Sequence, residues 1–222
     1  LHLSLRRQRQ MCIRDSVVRQ WQEEFWFHFG LRFWRLETNP KRLVSPTNDV
    51  IYIGDANPFD RPGVDFLVAS WHYARGSRRR PSELLQASRF FDLIVVDEAH
   101  AARRTRTLRG VRPTLLNQLC MELSITSPHI LLVTATPVQL NVLEAWDLLR
   151  ILGLGGPWVH EESFRRFYGV LSGERDDSSD WAFAFRLAAW VGRSYMTERE
   201  LSDMVYGLFS DPEVASEVLR EI

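Results

Sequence analysis

Leu93-Ile-Val-Val-Asp-Glu-Ala-His100 and Ile130-Leu-Leu-Val-Thr-Ala-Thr-Pro137 are the stretches that decide how this chain folds. Each opens on four consecutive apolar residues. An unbroken apolar run, rather than an alternating one, marks a strand buried on both faces, as in a parallel sheet covered by helices. Each run then ends in polar residues. In open α/β sheets the C-terminal strand ends form the edge where ligands bind. The two runs are therefore predicted to be adjacent parallel strands, with Asp97 and Glu98 beside Thr134 and Thr136. Paired carboxylates at a strand tip suit work on a nucleoside triphosphate. One holds Mg²⁺, usually through water, and the other orients or deprotonates the attacking water. Successive strand residues point to opposite sides, so the two acids can take different tasks. A plainer reading has Asp97 capping the next helix with Glu98 in its first turn. Thr136 before Pro137 admits the same capping role.

Working outward, Val17-Val-Arg-Gln-Trp-Gln-Glu-Glu-Phe-Trp-Phe-His-Phe-Gly30 carries apolar residues at 17, 18, 21, 25 and 29, a helical face stopped by glycine. LRFWRLE (31–37) alternates like a strand, and the NP and SP pairs at 39–40 and 45–46 mark a loop. VIYIG (50–54) and DFLVAS (65–70) are further short strands. RGSRRRPS (75–82) reads as a basic loop, with Pro81 opening a helix over ELLQASRF (83–90). Helices are also predicted near Pro113–Leu123 and over Leu140–Leu152, the latter stopped by Gly153. Residues 161–222 read as all helix, broken by the polar loop SGERDDSSD (172–180). Strand–helix alternation predicts an α/β fold with a parallel sheet flanked by helices, followed by an all-helical segment.

Composition narrows the function classes. Of 222 residues, 45% are apolar and 25% charged, which is globular and excludes a disordered tail, a collagen-like repeat or a coiled coil. No run of about 18 uncharged apolar residues occurs, so no membrane-spanning helix is expected. Two cysteines, Cys12 and Cys120, make no disulfide framework, and a reducing cytoplasm is the expectation. With 28 basic against 28 acidic residues, nucleic acid is bound only by a local patch. The arginines at 75, 78, 79 and 80 and at 103, 104, 106 and 109 offer such a phosphate track; runs of this kind also occur as solvated loops.

Residues 1–16, LHLSLRRQRQMCIRDS, are basic and lack amphipathic period. Back-translation of Arg6 to Ser16 matches a transposase-type sequencing-library adapter. The segment is accordingly set apart as an artefact, against the alternative of a basic arm that binds nucleic acid. Without it, 24 basic residues face 27 acidic ones.

LIVVDEAHAARR, and about thirty residues later LLVTATPVQLNVLEAWDLL, resemble motifs II and III of superfamily 2 helicases. The TATPxQ…ExWxLL form resembles the Swi/Snf-related branch, especially its bacterial RapA-like members. RQWQEEFWFHFGL (19–31) is similar to that branch's motif Ia, and FLVASWHYAR (66–75) to its motif Ic. The resemblance covers residues 17–155. It implies a partial RecA-like, ATP-binding helicase lobe there, with 156–222 a helical connection toward a second lobe. It implies ATP and Mg²⁺ as cofactors, metal binding at Asp97, water activation at Glu98, and nucleotide contact at His100. It implies coupling through His100, Thr134, Ala135 and Thr136, and contacts to double-stranded DNA near Gln20, Trp21 and Ser70; from the residues alone, Trp21 reads rather as core and Ser70 also as a helix cap. With Arg78 and Arg79 from the basic loop, these form the expected nucleic-acid set.

The implied activity is ATP hydrolysis coupled to translocation on DNA and remodelling of protein–DNA complexes, with a protein displaced from DNA as a further partner and a bacterial cytoplasm as the location. A restriction-type or true helicase of the same superfamily, and a degenerate, non-catalytic interaction domain, are the alternatives. The departure from the pattern is motif I. A GxxxxGK[ST] loop needs a lysine that reaches the phosphates, and Lys41, the only lysine, sits in TNPKRLV with no such glycines. The chain reads as a fragment of a larger motor, inactive by itself.

Overall fold

A computed structural model describes residues 9–13, 17–77, 79–138, 141–175, 177–192, 197–208 and 211–221. The chain divides into two compact units: residues 1–139 with 147–153, and residues 140–146 with 154–222.

The first unit is α/β. Its strands are β1 (Arg9–Ile13), β2 (Trp34–Thr38), β3 (Lys41–Val44), β4 (Val50–Tyr52), β5 (Phe66–Ser70), β6 (Leu93–Val96) and β9 (Ile130–Leu132), with a separate hairpin of β7 (Thr105–Thr107) and β8 (Gly110–Arg112). The main sheet runs β4-β3-β2-β5-β1-β6-β9. Pairings from β2 through β5, β1 and β6 to β9 are parallel, while β3 and β4 extend the sheet antiparallel. This is the expected partial RecA-like sheet with an antiparallel wing. The predicted neighbours β6 and β9 are paired directly, Val96 opposite Leu132.

Alternation along the strands explains the layers. On β6, Ile94 and Val96 enter the larger core while Val95 packs on the opposite face; on β5, Leu67 and Ala69 face one way and Val68 the other. Helix α3 (Leu115–Thr126) covers the first face with Leu116, Leu119, Cys120 and Leu123. Helix α1 (Val18–Phe29) covers the second, and Gly30 closes it in the left-handed conformation (φ 64°), its N–H and that of Leu31 taking the carbonyls of Trp26 and Phe25. A four-residue helix, α2 (Trp71–Ala74), follows β5.

Several expectations are corrected. No helix forms over 83–90. The Glu83 carbonyl is taken by Asn57 Nδ2, and the Ser88 N–H goes to Asp60 Oδ1. Those main-chain groups are thus unavailable to an i→i−4 ladder, and the segment is a chain of turns. The NP–SP loop contains a strand instead: β3 puts Leu43 opposite Leu36, both buried. β9 is not buried on both faces, because it ends the sheet, and Leu131 is half exposed. The basic stretch after DEAH holds the β7–β8 hairpin. The helix expected near Pro113–Leu123 is α3, which starts after Thr114, whose Oγ1 accepts the Asn117 N–H. The helix expected from Leu140, which lies outside the described residues, is α4 (Leu143–Ile151), its first N–H capped by Asn141 Oδ1. Within 1–16, to which the sequence assigned no element, residues 9–13 pair between β5 and β6. Ladder bonds are made by the main chain, so this pairing is indifferent to the segment's origin.

The second unit is helical: α5 (Glu161–Leu171), α6 (Ser178–Gly192), α7 (Glu198–Leu208) and α8 (Pro212–Glu221). Ala182, Phe185, Val205, Ala215 and Val218 form its core, and Trp158 is locked by donating from Nε1 to the Leu187 carbonyl at 2.9 Å.

Candidate nucleotide and nucleic-acid site

Because β5, β6 and β9 run parallel, Ser70, Asp97 and the Thr134 segment emerge at the same edge of the sheet. The chain leaves β6 through an unusual turn. Glu98 is in the left-handed region (φ 52°, ψ 41°), and a short 3₁₀ turn over Ala99–Ala102 follows without a side-chain cap. A non-glycine residue there costs about 1–3 kcal/mol and persists only where surrounding bonds enforce it. Two such bonds are the Ala99 N–H to the Val133 carbonyl and the Val133 N–H to the Val96 carbonyl, which stitch the turn to the continuation of β9. The plainer reading of Asp97 and Glu98 as helix-capping acids does not hold. Asp97 Oδ1 instead accepts the N–H of Glu98 at 2.8 Å, and the Glu98 side chain is left 39% exposed at the edge.

His100 connects the two motifs. Its Nδ1 lies 3.2 Å from Glu98 Oε2 and 3.3 Å from Thr134 Oγ1, so a proton on Nδ1 serves either acceptor. Thr134 Oγ1 also accepts the N–H of Thr136 at 3.2 Å, while Ala135 and Thr136 are exposed. Asp97, Glu98, His100 and Thr134, singled out in the sequence, thus form one constellation. The donor set matches the way Mg²⁺ binds beside a nucleotide, through one or two carboxylates with water and substrate phosphates completing the shell. Among the described residues no group of three or more His, Cys, Asp or Glu forms an all-protein cage.

The expected nucleic-acid residues are less concentrated. Gln20 is exposed on the first turn of α1. Trp21 is half-buried, and its indole Nε1 donates to Asp97 Oδ2 at 2.8 Å. Ser70 caps α2, its Oγ accepting the N–H of His72 at 3.1 Å. Arg79 is exposed, and Arg78 lies outside the described residues. A groove of about 990 Å³ runs beside this edge, lined in part by Arg19, Arg35, Lys41, Ser70, Tyr73 and Arg80. Many of its cations are already paired. Lys41 Nζ bonds Glu83 Oε1 and the Ala56 carbonyl, so its ammonium is part of the groove wall. Arg80 lies 4.1 Å over the Tyr73 ring and donates to that residue's carbonyl. Burial and the hydrogen bond to Glu83 push the Tyr73 phenol far above its ordinary range. Of the second basic run, Arg104 and Arg106 are bound to the fully buried carboxylate of Asp147.

Sequence reasoning missed two polar anchors. Gln22 is buried and its Nε2 donates to the carbonyls of Phe33 and Val44, both at 2.7 Å, tying α1 to the sheet. Asp147 binds two arginines and the Arg104 N–H. The signal for Gln22 was a polar residue on the apolar helix face, one position after Trp21. Asp147 carried none, because its partners are about forty residues away.

Comparison with known proteins bears on the same residues. The family described as SNF2-related domain matches residues 12–182. The chain is 30% identical over 142 residues to the RNA polymerase-associated protein RapA of Actinobacillus succinogenes, a match covering 64% of this chain and 14% of that protein. Among the described residues, no helix is long and apolar enough to cross a membrane.

Proposed function

The chain belongs to the SNF2-related family, and from that premise we propose that it forms part of the first motor lobe of an ATP-dependent translocase acting on double-stranded DNA. Residues 17–155 are the lobe and 156–222 its connection toward a second one. The observation that carries this reading is the meeting of Asp97 and Glu98 with His100 and Thr134 at one sheet edge. In this assignment Asp97 faces Mg²⁺, and Glu98 takes the proton of the attacking water. His100 and Thr134 sense the state of Glu98, and Ala135 and Thr136 carry that state onward. Mg²⁺ bound with ATP neutralises charge on the transferred phosphoryl group. Gln20, Ser70, Arg78 and Arg79 serve the DNA backbone, with Trp21 beside them. The relative's name refers to RNA polymerase, which favours remodelling of a DNA-bound protein as the work done, in a bacterial cytoplasm.

No GxxxxGK[ST] loop occurs in these 222 residues. The acidic half of the site alone is therefore expected not to turn over ATP. The test uses the whole motor that carries this lobe. Glu98→Gln keeps the shape of the side chain but cannot accept a proton, so DNA-stimulated hydrolysis should fall about 10²–10⁴-fold with ATP and DNA binding retained. Near-wild-type turnover in that variant would refute the assignment.

A further inference from the structure

Asp97 is held from two sides. One oxygen accepts the N–H of Glu98 at 2.8 Å, and the other accepts the indole N–H of Trp21 at 2.8 Å, across 76 residues of chain. The indole is itself immobilised. Its ring stacks on Phe25 at 5.5 Å, Phe25 stacks on Phe33 at 4.7 Å, and the adjacent Gln22 is bonded to two sheet carbonyls. Burial alone does not account for this bond. The buried indole nitrogen of Trp71 has no hydrogen-bond partner among the described residues, whereas that of Trp21, a ring of the same intermediate burial, has a carboxylate. A carboxylate offers about four lone-pair positions, so two N–H donors orient Asp97 and still leave each oxygen a position for a ligand.

We propose that Trp21 is a positioning residue. Its indole N–H fixes the orientation in which Asp97 meets the metal, and it ties that carboxylate to helix α1. The first turn of α1 exposes Arg19 and Gln20 beside it, so a shift of this helix is transmitted to Asp97 through one rigid hydrogen bond. This assigns Trp21 an inward task instead of the DNA contact that the resemblance implied for it. The inference rests on the reading of Asp97 as the metal-facing carboxylate.

Mn²⁺, which reports its own binding by loss of the free-ion paramagnetic resonance signal, is the probe, titrated with ADP into the whole motor. Loss of a hydrogen-bond partner behind a metal ligand weakens metal affinity about 10–100-fold. Trp21→Phe keeps the ring stack and removes the N–H, and should weaken Mn²⁺ binding within that range. In an Asp97→Asn background the same change should have no further effect. Trp21→His, which restores a ring N–H, should recover part of the affinity, which a packing defect would not allow. Unchanged Mn²⁺ affinity in Trp21→Phe, or an equal loss in both backgrounds, overturns the inference. If Asp97→Asn itself leaves Mn²⁺ binding unchanged, the reading of Asp97 as metal ligand fails instead.

Discussion

Asp147 is the most consequential buried charge in the first unit, and replacing it with asparagine separates two views of the basic run after DEAH. Its carboxylate is fully buried and accepts four bonds: from the Arg104 N–H at 2.9 Å, Arg104 Nε at 2.7 Å, and Arg106 Nη1 and Nη2 at 2.6 and 3.0 Å. These bonds clamp the segment after β6 to helix α4, which follows the TATP motif. Asp147→Asn preserves volume but turns one acceptor into a donor facing guanidinium N–H groups. It also withdraws the charge that both arginines face. Removing one partner of a buried ion pair costs about 3–5 kcal/mol. The arginine side chains retain 18% and 21% exposure, so water recovers part of their solvation and the lower end, about 3 kcal/mol, applies. With a urea slope of about 2 kcal/mol per M, the unfolding midpoint should fall by about 1.5 M. Replacing all three together, Asp147→Leu with Arg104→Met and Arg106→Met, should restore most of that loss, since apolar residues of similar volume substitute for buried ionic clusters at little cost. A midpoint change in Asp147→Asn worth under about 0.5 kcal/mol would mean that the cluster behaves as a solvated surface pair, and the clamp would be refuted.

Two further outcomes follow from the same unit. Gly76 sits at φ +66°, and a Cβ there would lie 2.6 Å from the Arg80 carbonyl oxygen and 2.8 Å from the Ser82 nitrogen, main-chain atoms that cannot swing aside. Gly76→Ala should therefore cost at least about 2 kcal/mol in urea unfolding and speed hydrogen exchange across 75–82; wild-type stability and protection would contradict this. Burial alone would raise the Glu37 pKa, but hydrogen bonds and charge from Arg42 and Arg35 outweigh it and hold it below the ordinary carboxylate value. Its contribution is present above the unfolded value of about 4.3 and lost as pH falls through the lower folded value. The stability gap between wild type and Glu37→Gln should thus close between pH 5 and the acid limit, as read by urea midpoints at successive pH; a constant gap would refute the pairing.

The placement of the candidate site residues was legible in the sequence because it depends on local pattern. Two unbroken apolar runs ending in polar residues announce adjacent parallel strands and put Asp97, Glu98 and Thr134 at one edge without knowledge of the rest. Gly30 and Gly153 stop their helices for equally local reasons, since a left-handed residue is needed where each helix ends. Tertiary structure decided whatever depends on partners distant in the chain. Residues 83–90 have helical composition, yet Asn57 and Asp60 claim the main-chain groups a helix would need. Leu131 belongs to a buried-looking run but is half exposed, because exposure follows sheet order, which apolar pattern does not encode. Arg104 and Arg106 look like a phosphate track until Asp147 is brought beneath them. Trp21 reads from its pattern as a core residue and from its motif as a DNA contact, and only the packing of α1 on the sheet turns its N–H toward Asp97. Sequence specifies which groups are available for bonding; contacts spanning 26 to 76 residues specify which of them are already taken.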